Sequence, residues 1–424
     1  MSFQDFKDNT TRAVVSRTID GVLNYINKDA DKRDQSLLKL VDISEKLMSD
    51  KFGTKVFCNA RKLICTPDSK WMNFTYKLLD EIDPHVAKMH VLNLGYQAGF
   101  YGFSKTTEFE KEHGYRLPWI ILMDPTSACN RHCTGCWSAE YGHKVSLSYE
   151  DLDGIVTQGE ELGIFFYMMT GGEPLMRKKD IVKLAEKHKK CMFYAFTNGT
   201  LIDEAFCQDM QRLGNISLAL SVEGFEEQND FRRGAGSFEA VTKAMDLLKA
   251  HGLVFGTSIC YTSKNYQTVT SDEFLDFLIE KGVRYCWYFH YMPVGNSAAT
   301  DLLLTPEQRE YMYHRIREIR AMEGGKPIFT IDFQNDGTYI GGCIAGGRFY
   351  CHINPNGDVE PCVFIHYSNA NIHEKSLFEC LSQPLFQAYQ KGQPFNENDL
   401  RPCPMLENPE SLKKLVHATG AKST

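Results

Sequence analysis

No run of residues approaches the roughly 18 consecutive apolar side chains that a membrane-crossing helix needs. The opening MSFQDFKDNT is polar and acidic where a secretory signal would be apolar. The expected compartment is therefore the cytoplasm. Net charge is small too: the formal value is −7, and no concentrated basic face points to nucleic acid as a partner. Internal repeats and low-complexity linkers are absent, which leaves ordinary globular domains. With 424 residues, 43% of them apolar, the chain can bury a large core in two or three domains.

Cysteine is not lacking: there are 14. Disulfides do not persist in a reducing compartment, so clustered cysteines there point to metal or catalysis. Cys191, Cys260 and Cys286 sit in or beside strand-like apolar runs, and Cys58, Cys65 and Cys207 have no cysteine at ligand spacing. These six read as structural. Two groups remain: Cys129, Cys133 and Cys136, then Cys343, Cys351, Cys362, Cys380 and Cys403.

Residues 1–112 read as a helical region, with apolar positions recurring at three- and four-residue spacing. Within it, VLNLGYQAGFYGF (91–103) is apolar, with Gly95 and Gly99 spaced for close helix contact. Domain packing is its expected role, and a lipid or partner surface is the alternative. From Leu117 the pattern changes to apolar β-rich runs at 118–125, 164–170, 191–197, 216–222, 254–261 and 284–291, alternating with helical stretches. Continuous apolar strands alternating with helices imply a parallel sheet with right-handed crossovers. The expected fold is α/β, a partial (β/α)6 TIM-like barrel over 113–325, whose chemistry sits on the loops after the strands. Residues 326–424 read as a small auxiliary domain: a β-hairpin turning at Asn356-Gly357, a helix near 375–391 and a cysteine-containing tail.

The first strand runs into TSACNRHCTGCW, which puts Cys129, Cys133 and Cys136 on an active-site loop at C-x3-C-x2-C spacing. Three thiolates there can hold three irons of a cubane cluster, and with no fourth cysteine nearby one iron is open to another ligand. The competing reading is zinc with His132 as fourth ligand, although His132 adjoins Cys133 and structural zinc sites usually pair their ligands as two knuckles.

This spacing after the first strand of such a barrel resembles the radical S-adenosylmethionine (SAM) superfamily. The resemblance implies a [4Fe–4S] cluster whose open iron chelates S-adenosylmethionine, and an electron donor such as flavodoxin or ferredoxin. It also implies reductive cleavage to a 5′-deoxyadenosyl radical that abstracts hydrogen from a substrate. In this sequence the residue before the third cysteine, commonly aromatic in the family, is Gly135, with Trp137 placed to take over the packing.

Further motifs stand at the later strand ends. Gly171, Gly172 and Glu173 in TGGEP match the family's GGE motif, which meets the amino group of S-adenosylmethionine. Thr197 and Asn198 in TNGT are candidate cofactor contacts, while an Asn-Gly turn with Thr200 capping the next helix is the plainer reading. Ser221 and Glu223 in SVEG match the family's sugar- and carboxylate-contacting position, and Arg233 is a candidate partner for the carboxylate. Pro293-Val294-Gly295 resembles the adenine-flanking turn. Tyr285, Trp287, Tyr288 and Tyr291 either line a pocket or, for the most part, fill the core.

The second group has the form C-x(9–15)-G-x4-C, from Cys343 through Gly357 to Cys362, and resembles the twitch or SPASM auxiliary domains that carry a further [4Fe–4S] cluster. The C-x2-C-x5-C-x3-C run of a full SPASM domain is absent. Cys343, Cys362 and Cys403 are the expected ligands, with Cys351 or Cys380 as fourth or an iron left open. A zinc-stapled or metal-free hairpin is the alternative.

The substrate is not written in these motifs: a peptide or protein side chain, a lipid and a small molecule all fit. From another functional class, a non-catalytic iron–sulfur or zinc carrier competes. GGEP and SVEG argue against it, because a carrier needs no nucleoside pocket.

Overall fold

The computed structural model describes residues 3–28, 32–142, 144–295, 298–398 and 403–424. The N-terminal region is helical: α1 (Phe3–Lys28), α2 (Arg33–Phe52), α3 (Thr54–Ile64), α4 (Lys70–Glu81), α5 (Pro84–His90) and α6 (Phe103–His113). Asp83 caps α5 by accepting the His85 and Val86 N–H groups, and Pro84 opens its first turn. Between α5 and α6 the backbone widens into π-helical turns over Val91–Gly102, long for a geometry normally seen as single turns. Its Leu92, Tyr96 and Ala98 are buried, as are the polar Asn93 and Gln97. Asn93 donates to the Lys189 and Cys191 carbonyls at 3.0 Å each, and the Trp119 indole donates to Ala98 at 2.9 Å. This segment is a packing surface against the barrel. The tight glycine is Gly102, where a Cβ would lie 2.4 Å from the Gly163 carbonyl; Gly95 faces open space.

Six parallel strands stand where the apolar runs predict them: β1 (Ile120–Met123), β2 (Phe166–Met169), β3 (Met192–Thr197), β4 (Ile216–Ser221), β5 (Phe255–Tyr261) and β6 (Tyr285–His290). Every residue of β1 and β2 is buried, as strands covered on both faces must be. The intervening helices are α7 (Tyr149–Leu162), α8 (Lys178–Lys187), α9 (Glu204–Leu213), α10 (Glu226–Arg233), α11 (Ser237–Ala250), α12 (Asp272–Glu280) and α13 (Pro306–Ile319). Asp203, not Thr200, caps α9 by accepting the Phe206 N–H. The N-terminal helices cover the barrel end where strands begin: Asp83 N–H donates to Gly252 at 2.8 Å, just before β5, and Asn93 reaches the turn before β3. The opposite end, after the strands, is left for the site.

The sheet runs on past residue 325. A seventh parallel strand, β7 (Phe329–Asp332), pairs with β6, and β8 (Tyr350–Ile353) pairs in parallel with β1 on the other edge. β9 (Val359–Glu360) returns antiparallel to β8, so the order is β7-β6-β5-β4-β3-β2-β1-β8-β9. The expected hairpin thus exists, with Gly357 at φ +87° in its turn, and its first strand extends the barrel sheet. Where β7 and β8 face each other unpaired, the Phe333 and Tyr350 rings meet edge to face at 6.0 Å. The single helix expected near 375–391 is two, α14 (Leu377–Leu381) and α15 (Pro384–Lys391), because Pro384 can start a helix but not continue one. Beyond them come α16 (Pro404–Glu407), α17 (Pro409–Thr419) and a short β10–β11 pair (Tyr367–Ser368 with Lys422–Ser423).

A buried ion cluster ties β8 and β9 to the end of β1. His352 lies 3.1 Å from Asp124 and 2.7 Å from Glu360, and all three side chains are fully buried. Burial would lower the imidazole, but the two carboxylates outweigh it and hold His352 up at about 10. Glu360 is held down to about 2, the His352 and His366 contacts overcoming burial, while burial pushes Asp124 up. His352 therefore contributes stability below its ordinary 6.5 and loses it as pH rises through about 10. Glu360 contributes above its ordinary 4.5 and loses it as pH falls towards 2. His352→Gln should cost about 3–5 kcal/mol, the usual penalty for leaving a buried charge without its partner. In chemical denaturation the gap between wild type and variant should be widest near pH 5.5 and shrink by pH 10. A pH-independent gap would mean the cluster is not ionised.

Candidate functional site

The backbone after β1 is fastened to the end of β2. Gly172 N–H donates to the Thr126 carbonyl at 2.9 Å and Glu173 N–H to Ala128 at 2.8 Å. A Cβ on Gly172 would sit 2.1 Å from the Ala128 carbonyl, and one on Gly171, at φ +100°, 2.6 Å from that of Thr126. Both glycines are thus required by the approach of two backbones, whatever ligand they also meet. Beyond this clasp the loop is held by Thr134 N–H donating to the Arg232 carbonyl at 2.8 Å.

Cys129, Cys133 and Cys136 line one cavity of about 220 Å³. Among the described residues no group of three His, Cys, Asp or Glu is placed to hold a single metal ion. His132, the alternative zinc ligand, is exposed and outside the lining. Burial pushes the Cys129 thiol up to about 11, against the Arg131 N–H that reaches its sulfur at 3.4 Å. Iron binding must therefore displace a proton there. The donor set fits an iron–sulfur cubane with three protein thiolates.

Glu173 also lines the cavity but is almost fully buried. Its carboxylate accepts from Leu175 N–H (3.0 Å), the Thr197 hydroxyl (2.7 Å) and Asn198 N–H (2.8 Å). Burial pushes it above the usual carboxylate range, and these donors pull the other way. Thr197 is therefore a support for Glu173 rather than a lining residue, whereas Asn198 lines the cavity and donates to Asn130 at 2.8 Å. Thr200, instead of capping α9, bonds to Asn198.

Ser221 lines the cavity; Glu223 lies behind it, fully buried. Glu223 accepts from Arg232 (2.5 Å), from Arg233 (2.8 and 2.6 Å) and from Cys260 N–H (3.0 Å). Both arginines face the cavity. Burial alone would lower each, but Cys260, Glu223 and Cys133 hold Arg232 above its ordinary value, and Glu223 and Cys133 do the same for Arg233. Sequence reasoning named Arg233 and missed Arg232, although the tandem pair after SVEG was the signal. Cys260, read as structural, also lines the cavity. Pro293, Val294 and Gly295 do not; Tyr291 and Met292 before them do.

Gly135, at φ +67°, has a physical reason. A Cβ there would lie 2.4 Å from the Tyr291 hydroxyl and 2.8 Å from its ring. The aromatic ring against this part of the loop comes from the end of β6, and Tyr291 is fixed by accepting the Ala299 N–H at 2.8 Å. Trp137 lines the cavity too, edge-on to His352 and Phe364. Of the other aromatics, Trp287 faces the cavity, while Tyr285 and Tyr288 are bonded into the core.

Cys343, Cys362 and Cys403 line a second, smaller cavity with Tyr350 and Tyr389. Burial pushes up the Cys343 and Cys362 thiols. Cys351 is not there: alternation along β8 turns it to the face opposite Tyr350, where it neighbours the buried Cys380. Neither Cys351 nor Cys380 reaches the three other sulfurs as a fourth ligand. Phe333, Ile344, Tyr350 and Phe364 belong to both cavities and form the partition between them.

The model of the radical SAM superfamily matches residues 123–289, and that of the iron-sulfur cluster-binding domain named SPASM matches 343–405. The chain belongs to the radical SAM superfamily. This radical SAM enzyme takes a [4Fe–4S] cluster with S-adenosylmethionine, and its C-terminal domain an auxiliary iron–sulfur cluster. Among curated relatives, it is 25% identical over 231 residues to Fe-coproporphyrin III synthase of Methanosarcina barkeri, spanning 52% of this chain and only 57% of that one. It is 28% identical over 303 residues to mycofactocin maturase MftC of Mycolicibacterium smegmatis, spanning 68% and 74%. The fold resembles Streptococcus suis SuiB bound to its precursor peptide SuiA, with a TM-score of 0.57 at 19% identity over 72% of this chain and 73% of that one. It also resembles anSMEcpe with bound AdoMet and Cp18Cys peptide, with a TM-score of 0.53 at 18% identity over 70% and 96%. No helix among the described residues is long and apolar enough to cross a membrane.

Gly172→Ala tests the clasp. The variant should stay folded by circular dichroism yet, after anaerobic reconstitution, lose about four irons per chain, the content of one [4Fe–4S] cluster. Full iron content would show that the loop does not depend on this contact.

Proposed function

We propose that Cys129, Cys133 and Cys136 hold the SAM-binding cluster and that the enzyme abstracts hydrogen from an apolar side chain of a peptide. The observation that carries the substrate reading is the partition of charge around the main cavity. Its cationic residues, Arg131, Arg232 and Arg233, cluster with the cysteine loop and the end of β4. Away from them the lining is apolar or aromatic, with Leu122, Met168, Phe196, Trp287, Phe289 and Phe364. His290 there is neutral, pulled down to about 4 by burial. A coproporphyrin-type substrate, with several carboxylate arms, would need cations on that apolar side. An uncharged side chain needs none, and two solved proteins of similar fold are peptide complexes.

When bound, the cluster and S-adenosylmethionine supply one-electron reductive cleavage and a 5′-deoxyadenosyl radical. The chain's own residues orient and exclude. Gly171, Gly172 and Glu173 offer acceptors to the cosubstrate's amino group, and Arg232 and Arg233 pair with its carboxylate. Ser221 and Asn198 would meet its sugar, and Tyr291 and Trp137 its adenine; all four line the cavity. The apolar walls keep water from the radical. Cys343, Cys362 and Cys403 hold the auxiliary cluster with one iron free of protein thiolate. The division 1–112, 113–325 and 326–424 belongs to the same proposal, as does an external donor of the flavodoxin or ferredoxin kind.

Anaerobic reconstitution should give about eight irons per chain, two [4Fe–4S] clusters. Dithionite with S-adenosylmethionine should release 5′-deoxyadenosine. Replacing Cys129, Cys133 and Cys136 with alanine should remove about half the iron and all cleavage; residual cleavage contradicts the site. Peptides with perdeuterated Val, Leu or Tyr should pass deuterium into 5′-deoxyadenosine. Transfer from labelled iron coproporphyrin instead would overturn the peptide reading.

A further inference from the structure

Two buried phenols lie against two of the auxiliary thiols. Tyr389, on α15, is fully buried, and its hydroxyl is 3.3 Å from Cys343 Sγ, its one hydrogen-bond partner among the described residues. Tyr350, on β8, accepts the Val363 N–H at 2.9 Å and lines the second cavity beside Cys362. Either atom of a thiol–phenol pair can donate. A thiolate bound to iron has no proton, so once iron is held the phenol must be the donor.

Neither ring is free to turn away. A Cβ on Gly346, at φ +69°, would lie 2.4 Å from the Tyr389 ring, and the Phe395 ring packs edge-on to it at 4.7 Å. Tyr350 is held by its Val363 bond and by Phe333. At hydrogen-bond distance from one ligand sulfur, Tyr389 is also too close to that corner to serve as ligand to a different iron.

Reduction adds one electron to such a cluster, and the added negative charge falls partly on its sulfurs. Donors aimed at those sulfurs stabilise the reduced form, more so in a buried, low-dielectric site. We propose that Tyr389 and Tyr350 donate hydrogen bonds to the Cys343 and Cys362 thiolates and thereby raise the one-electron reduction potential of the auxiliary cluster, fitting it to accept an electron. No proton is transferred; the phenol hydrogens stay on oxygen. Tyr350 also forms part of the partition with the main cavity, so the acceptor lies directly behind the wall of the substrate space. The inference rests on Cys343, Cys362 and Cys403 as ligands.

The test is a potentiometric titration of the reconstituted full chain followed by electron paramagnetic resonance. The auxiliary signal is the one that S-adenosylmethionine does not alter. About four irons per chain in wild type, with no second signal, would sink the ligand assignment itself. With both clusters present, Tyr389→Phe should lower the auxiliary potential, and with Tyr350→Phe the reduction equilibrium should fall at least tenfold, 59 mV for one electron. The SAM-responsive couple and 5′-deoxyadenosine release should be unchanged in Tyr389→Phe. An unmoved auxiliary potential at full iron content overturns the proposal. If Tyr389→Phe loses iron, wild type decides: reduced auxiliary cluster should show an exchangeable-proton coupling in D2O, and its absence also overturns the proposal.

Discussion

The site depends on a backbone clasp between the ends of β1 and β2. Two N–H groups, of Gly172 and Glu173, reach carbonyls of the loop that carries Cys129, and the fit leaves no space for a side chain at Gly172. Glu173 extends the clasp to β3 by accepting from Thr197 and Asn198. Three strand ends are thus tied at Glu173, its N–H to the β1 loop and its carboxylate to β3, at the face where a barrel of this type keeps its chemistry. The loop that carries the thiols is thereby fastened to the neighbouring strand end.

The two edges of the sheet make the second constraint. The C-terminal segment covers β1 with β8 and buries a charged trio beneath the cysteine loop, where Trp137 packs on His352. Auxiliary and main cavities consequently share a wall of Phe333, Ile344, Tyr350 and Phe364. A cysteine-bearing hairpin floating apart from the barrel would not place its sulfurs so near the main cavity. Docking through strand pairing does so with main-chain hydrogen bonds, which also remove an exposed sheet edge.

The six barrel strands were legible because each is a continuous apolar run between helical stretches. β7 was not: it is four residues long, and its Phe329 is exposed. The parallel pairing of β8 with β1 joins residues some 230 positions apart, and no local pattern encodes it. At the site, the cysteine spacing and GGE were readable as motifs, but the structure adds the reason for the glycines. Gly135 looked like a gap in the aromatic pattern until Tyr291 from β6 was seen filling it. Arg232 and Cys260 escaped because whether both of two adjacent residues, or which face of a strand, meet the cavity is settled by three-dimensional packing.

The central claim is that three loop thiolates leave one iron of the cubane for the cosubstrate. Electron–nuclear double resonance on anaerobically reduced protein with 15N- and 17O-labelled S-adenosylmethionine tests it most directly. Hyperfine coupling from both the amino nitrogen and a carboxylate oxygen is the expected result. Reduced, fully loaded protein with neither coupling would contradict the account.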